Sequence, residues 1–286
     1  MAVYFSFQAA LCFSIAHVLI RRGLVESNAM TGSFISLTMS AGILCMLALV
    51  LTPAEEFWHP AIGYFIAAGV FAPGIGRTLS YVGIERVGVA RSVPIVNSSP
   101  IFASIFAVVF LGEIWVLQNA VGTLLVISGV ILLSLAKPVK EKWRKLDVIY
   151  PVLGALAFGV SANLRKAGLE ILGAPVLGAA VTAATAALFS FGLLQFKGGW
   201  RAFRLSAKSA GWLLTAAFFN TAAMLSVFYA LRFGSVVIVE PLVSSNPVLT
   251  LVLAAIFLKD LEALTGRVIV GCALTVLGTV LVVTVH

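Results

Sequence analysis

The stretch PIVNSSPIFASIFAVVFLGE, Pro94–Glu113, returns as PLVSSNPVLTLVLAAIFLKD, Pro241–Asp260. Pro94 and Pro100 match Pro241 and Pro247 at one offset, Leu111 matches Leu258, and Glu113 matches Asp260. A second echo joins ALCFSIAHVLIRRGL (Ala10–Leu24) to ALAFGVSANLRKAGL (Ala155–Leu169), with Phe13 on Phe158, Arg21 on Lys166 and Gly23 on Gly168. Gly122 and Gly129 recur as Gly271 and Gly278. The chain is therefore written twice, and both copies are strongly apolar. A duplicated membrane unit with a binding site between its halves is the usual construction of a secondary transporter.

Composition gives the class. Of 286 residues, 61% are hydrophobic and 10% are charged, against roughly 45–50% apolar and about 25% charged in a soluble domain. Apolar runs of about 20 residues cross a bilayer as helices, which satisfy their own backbone groups in lipid. A transmembrane barrel would alternate polarity in segments of about 10 residues, and no such segments appear. The expected fold is all-α, with ten spans at about 3–21, 30–51, 60–82, 89–111, 117–136, 148–168, 175–195, 209–231, 235–258 and 266–285. The organisation is a first five-helix repeat over 1–136, a charged loop KPVKEKWRKLD over 137–147, and a second repeat over 148–286. Five is odd, so the second repeat is expected to enter the membrane upside down relative to the first. The N-terminus shows no removable signal and simply begins the first span.

The net charge of +8 is assigned to loops beside helix ends, where orientation and anionic lipid explain it better than nucleic acid. One side carries Arg21, Arg22, Arg86, Arg91, five basic residues in Lys137–Lys145, four in Lys197–Lys208, Lys259 and Arg267. The other carries Arg165, Lys166 and Arg232, together with both termini and the acidic pair Glu55 and Glu56. This bias predicts termini outside the cytoplasm. Cys12, Cys45 and Cys272 lie inside apolar spans without metal or disulfide spacing; no cofactor or metal is expected.

The fourth and ninth spans carry the local signal. Proline removes a backbone donor and clashes with the preceding turn, and each span holds two prolines six residues apart. Asn97, Ser98 and Ser99 fill the gap in one copy, and Ser244, Ser245 and Asn246 in the other. Opened backbone at that depth is tolerated against protein or a wet cavity. The duplicated pattern favours cavity lining, with Pro94, Pro100, Pro241 and Pro247 as hinges.

These residues resemble the EamA-like branch of the drug/metabolite transporter superfamily. GIERVGVARSVPIVNSSPIFASIFAVVFLGE and ALRFGSVVIVEPLVSSNPVLTLVLAAIFLKD carry the resemblance, and GTLLVISGVILL and GCALTVLGTVLVV fit it too. The chain departs from it at Leu258-Lys259-Asp260, and at Phe13-Ser14, where the family often has Trp-Gly. The resemblance implies ten helices around a central cavity working by alternating access, in the plasma membrane of a bacterium. It implies small solutes such as amino acids, nucleosides, other metabolites or cationic drugs.

Within the spans, Glu240 directly precedes Pro241, and its counterpart is the apolar Val93. A carboxylate in lipid is costly unless paired, protonated or wet, so Glu240 is read as a proton carrier or a structural ion pair. Arg77 is read as a partner of an anionic solute group or of Glu240, or as a side chain snorkelling to the basic side. His17 is a proton relay or a packing residue. Asn163 and Asn220 line the cavity or join helices. A proton or an exchanged second solute would drive transport, since no GxxxxGK[ST] loop is present. The monomer already encloses a cavity, so no dimer is required. A channel and a lipid-modifying enzyme are the alternatives. His17, His59 and His286 are scattered and no HExxH or GxSxG occurs, so an enzyme is not expected.

Overall fold

The computed structural model describes residues 1–87, 92, 95–134, 144–196, 199, 203, 205–257 and 266–284. Among them the regular structure is helical. Six helical runs are long and apolar enough to cross a membrane: Ala2–Glu26, Met30–Leu51, Ile62–Ser80, Leu146–Leu172, Pro175–Phe196 and Ala207–Phe233. Four shorter apolar helices accompany them, Ser99–Leu111, Leu117–Leu132, Val236–Thr250 and Ile269–Val283. Together they occupy the ten places that the apolar runs predict.

The elements in order are α1 (Ala2–Gly23), α2 (Ala29–Leu51), α3 (Ile62–Gly69), a π-helix (Val70–Gly76), α4 (Arg77–Val87), α5 (Ser99–Leu111) and α6 (Leu117–Ser134). The second half supplies α7 (Ile149–Leu172), α8 (Pro175–Phe196), α9 (Ala207–Phe233), α10 (Val236–Val243), α11 (Asn246–Phe257) and α12 (Gly266–Val283). Local chemistry sets several ends. Asn28 accepts the Thr31 N–H at 2.8 Å to start α2, and Ser206 accepts the Ser209 N–H at 3.1 Å to start α9. Each satisfies a first-turn donor that the helix cannot. α7 stops at Gly173, whose φ of 69° is left-handed and suits glycine. The third span runs past its expected end at residue 82 to Val87. Its middle is a seven-residue π-helix containing Pro73. Proline has no N–H and its ring crowds the carbonyl four residues back, and wider π turns relieve both.

The two halves interleave. α1 lies along α9, and α7 lies along α3, the π-helix and α4. α1 also meets α10 and α11, as α7 meets α5, while α2 packs on α8, α5 on α10 and α6 on α12. Small residues permit this in lipid. A Cβ at Gly122 would come within 2.9 Å of the Gly278 carbonyl, so the α6–α12 contact depends on bare backbone.

The largest buried apolar cluster sits toward the end that holds the N-terminus. Ala9, Leu44, Ala48, Phe65, Ala107, Leu169, Leu177, Phe228, Leu231, Val236, Val237 and Val239 join there from eight helices. Phe57, Leu172 and Trp115 pack on it from the rim.

Candidate central cavity and its charged groups

The two broken helices close their breaks identically. Ser98 Oγ donates to Ile95 O at 2.6 Å, and Ser245 Oγ donates to Leu242 O at 2.7 Å. The backbone follows suit: Ser98 N–H donates to Ile95 O and Ser245 N–H to Leu242 O, at 3.1 and 3.2 Å. Ile101 and Val248 then donate to Ser98 O and Ser245 O at 3.0 and 3.1 Å. Pro100 stands in the first turn of α5, where a missing N–H costs nothing. Pro247 follows Asn246 at the start of α11. Pro241 lies inside α10, and Pro94 lies outside the described residues. Asn246 Nδ2 donates to Val243 O at 3.0 Å, and its own carbonyl accepts Ser14 Oγ from α1 at 2.9 Å. Asn97, Ser99 and Ser244 are half-buried at the same breaks.

Glu240 pairs with Arg165. Arg165 Nη2 lies 3.8 Å from Glu240 Oε1, with the two side chains 15% and 16% exposed. Arg165 Nε donates to Ser161 O at 3.2 Å, and its guanidinium sits 6.0 Å over the Phe228 ring. This corrects two expectations. Arg165, counted among the charges beside helix ends although it falls within the expected span 148–168, stands inside α7, seven residues before its end at Leu172. Arg77, in turn, is not the partner of Glu240. Next along α7, Asn163 joins helices: its Nδ2 donates to Ala103 O and to Gly159 O, each at 2.9 Å. Its Oδ1 and the nearby Ser104 Oγ are buried and have no hydrogen-bond partner among the described residues. Asn220 is half-buried on α9.

Arg77 occupies a different setting. It opens α4 directly after the π-helix, ten residues before Val87, or about 15 Å of helix. Its Nη1 donates to Ser33 Oγ on α2 at 2.6 Å. Among the described residues it has no carboxylate partner. His17 on α1, stacked on Phe13 with ring centroids 6.3 Å apart, lies within electrostatic reach of it. α1 packs on α9, α10 and α11, whereas the π-helix and α4 pack on α7 and α8. Arg77 and His17 therefore approach each other from separate packing layers.

The profile of the EamA-like transporter family matches residues 1–135 and 146–284. The chain belongs to the EamA-like transporter family. It is an integral membrane transporter whose partners are a small solute and the lipid around it. The fold of this EamA-like protein is also that of a solved structure titled only "Crystal structure of protein". That structure is 16% identical, with a TM-score of 0.81 over 99% of this chain and 96% of its own. No curated protein matches the sequence. Among the described residues no three His, Cys, Asp or Glu side chains gather to hold a metal, and the three cysteines are free.

Three residues of this EamA-like bundle escaped the sequence analysis in their roles. Glu113, quoted there only as a repeat marker, caps the other half: the N–H groups of Val236 and Val237 donate to its Oε1 and Oε2 at 2.8 and 3.0 Å. A carboxylate on two orphan donors at a helix N-terminus is a strong cap, and it holds the start of the helix that carries Glu240. Arg165 and Ser33 are the other two. Arg165 had a signal in its distance from the stop at Gly173; Ser33 had none.

Proposed function

We propose that the chain is a secondary carrier that moves a small solute by alternating access between two inverted halves. The observation that carries this reading is the duplicated break. Ile95–Ser98 and Leu242–Ser245 open the helical ladder alike in both halves, and the helices that hold them, α5 and α10, pack together. Paired discontinuous helices at a repeat interface are where transporters bind. Asn97, Ser98, Ser99, Ser244, Ser245, Asn246, Asn163, Asn220 and Arg77 form the cavity wall in this reading. Pro94, Pro100, Pro241 and Pro247 serve as hinges between half-helices.

In this reading the apolar cluster toward the N-terminal end is the seal on that side. With basic loops in the cytoplasm, both termini lie outside a bacterial plasma membrane. Energy comes from a proton carried at Glu240 or His17, or from an exchanged second solute. The monomer is the working unit.

Cysteine accessibility tests the mechanism. With Cys12, Cys45 and Cys272 replaced, a single Ser244→Cys should react with a membrane-impermeant thiol reagent from one face of the membrane at a time. Simultaneous reaction from both faces would make the protein a channel.

A further inference from the structure

We propose that the transported solute carries an anionic oxyacid group (carboxylate, sulfonate or phosphate) that docks on Arg77. The inference rests on the carrier reading and names its substrate class.

Arg77 is a cation kept inside the membrane without a carboxylate partner among the described residues. A guanidinium offers five donors in a rigid fork that matches an oxyacid group in two parallel bonds. Here Nη1 is used on Ser33 Oγ at 2.6 Å, and a neutral hydroxyl cancels no charge. Arg165 shows how this chain neutralises a membrane arginine: a carboxylate, Glu240, stands 3.8 Å away and an aromatic face lies beside it. Ion pairs of this kind recur because an unpaired charge in low dielectric is costly. Arg77 receives no such partner among the described residues, yet it is half-buried inside the Ile62–Ser80 span and held by Ser33 of α2.

The guanidinium reaches Ser33, four residues into α2 on the side of the basic loops, where a hydroxyl and not a carboxylate holds it. Its position after the π-helix adds to the case. Such turns are rare and occur frequently at functional sites, and Arg77 follows this one directly, with its guanidinium on Ser33 of α2. An oxyacid group arriving at Arg77 supplies the missing negative charge. Ser33 positions the guanidinium; it need not touch the solute.

The test uses the full-length protein in proteoliposomes, with counterflow of matched solutes. Small carboxylates, sulfonates and phosphate monoesters are compared with their amides and with quaternary amines. The acids should exchange, the amides should be at least tenfold poorer, Arg77→Gln should lose acid exchange at least tenfold, and Arg77→Lys should restore part of it. The unfolding temperature of each variant in detergent checks that it is folded. If Arg77→Gln itself unfolds, the acid-over-amide ratio of the wild-type protein decides. Exchange of amides or amines as well as acids, or acid exchange indifferent to Arg77→Gln, overturns the inference and leaves the carrier reading standing. Exchange of nothing in the panel by folded protein overturns both.

Discussion

Two arginines lie inside this membrane bundle, and the chain treats them differently. Arg165 on α7 has a carboxylate at 3.8 Å, a backbone carbonyl on Nε and the Phe228 face. Arg77 on α4 has one serine hydroxyl. The first is an internally balanced pair that ties the second half's α7 to its broken helix α10. It can be lost or kept without reference to any ligand. The second has no carboxylate partner among the described residues, and in the proposal above the solute supplies the balance. A charged residue in a membrane span is thus not a functional signal by itself; the signal is the lack of a counter-charge.

The comparison can be broken first at Arg165. Arg165→Gln leaves Glu240 buried and unpaired and should cost about 3–5 kcal/mol of stability, read as a lower unfolding temperature in detergent. Glu240→Gln should cost a similar amount, and the double variant should recover part of the loss. Additive losses would mean that the pair is not coupled. Glu240→Gln also bears on energy coupling, because a folded variant that keeps normal pH-dependent transport removes Glu240 from the proton path. Arg77→Gln should behave oppositely, with stability changed by less than about 1 kcal/mol, since no ion pair is lost, and with exchange reduced. A large destabilisation there would put Arg77 among the structural residues. Glu113→Ala removes two cap bonds from α10 and should cost about 1 kcal/mol, leaving the Arg77-dependent acid preference intact. Loss of that preference would show that the two charged centres are not separate. The smallest effect is expected of Ser33→Ala, which frees the guanidinium without removing it. KM for an acidic solute should rise a few-fold with turnover unchanged, as befits a net contribution of about 1 kcal/mol.

The fold was legible because membrane helices are decided by local composition. Each apolar run is its own evidence, and the paired prolines mark the breaks within two of them. The repeat was legible for the same reason, since Pro100 and Pro247 keep one register. Charge pairing was not legible, because it is set by which helices meet. Glu240 and Arg165 are 75 residues apart, Arg77 and Ser33 are 44, and Glu113 reaches Val236 across 123. Arg165 was counted with the charges beside helix ends because the expected span closes at 168, three residues after it, whereas the helix runs on until Gly173 can turn left-handed. The π-helix was hidden because a single Pro73 inside an apolar run does not say how the backbone accommodates it. Asn163 was left between two roles, and only the carbonyls of Ala103 and Gly159 show that it ties α7 to α5.

An uncompensated Arg77 has a kinetic consequence. The empty carrier would have to carry a bare charge through its occluded state, whereas the loaded carrier would not. The most direct measurement is exchange against net efflux of one acidic solute from the same proteoliposomes. The account predicts exchange that saturates and outpaces net efflux at least tenfold, a barrier difference of about 1.4 kcal/mol. Equal and unsaturable rates in both directions would contradict it, and would leave this bundle a pore with an arginine in its wall.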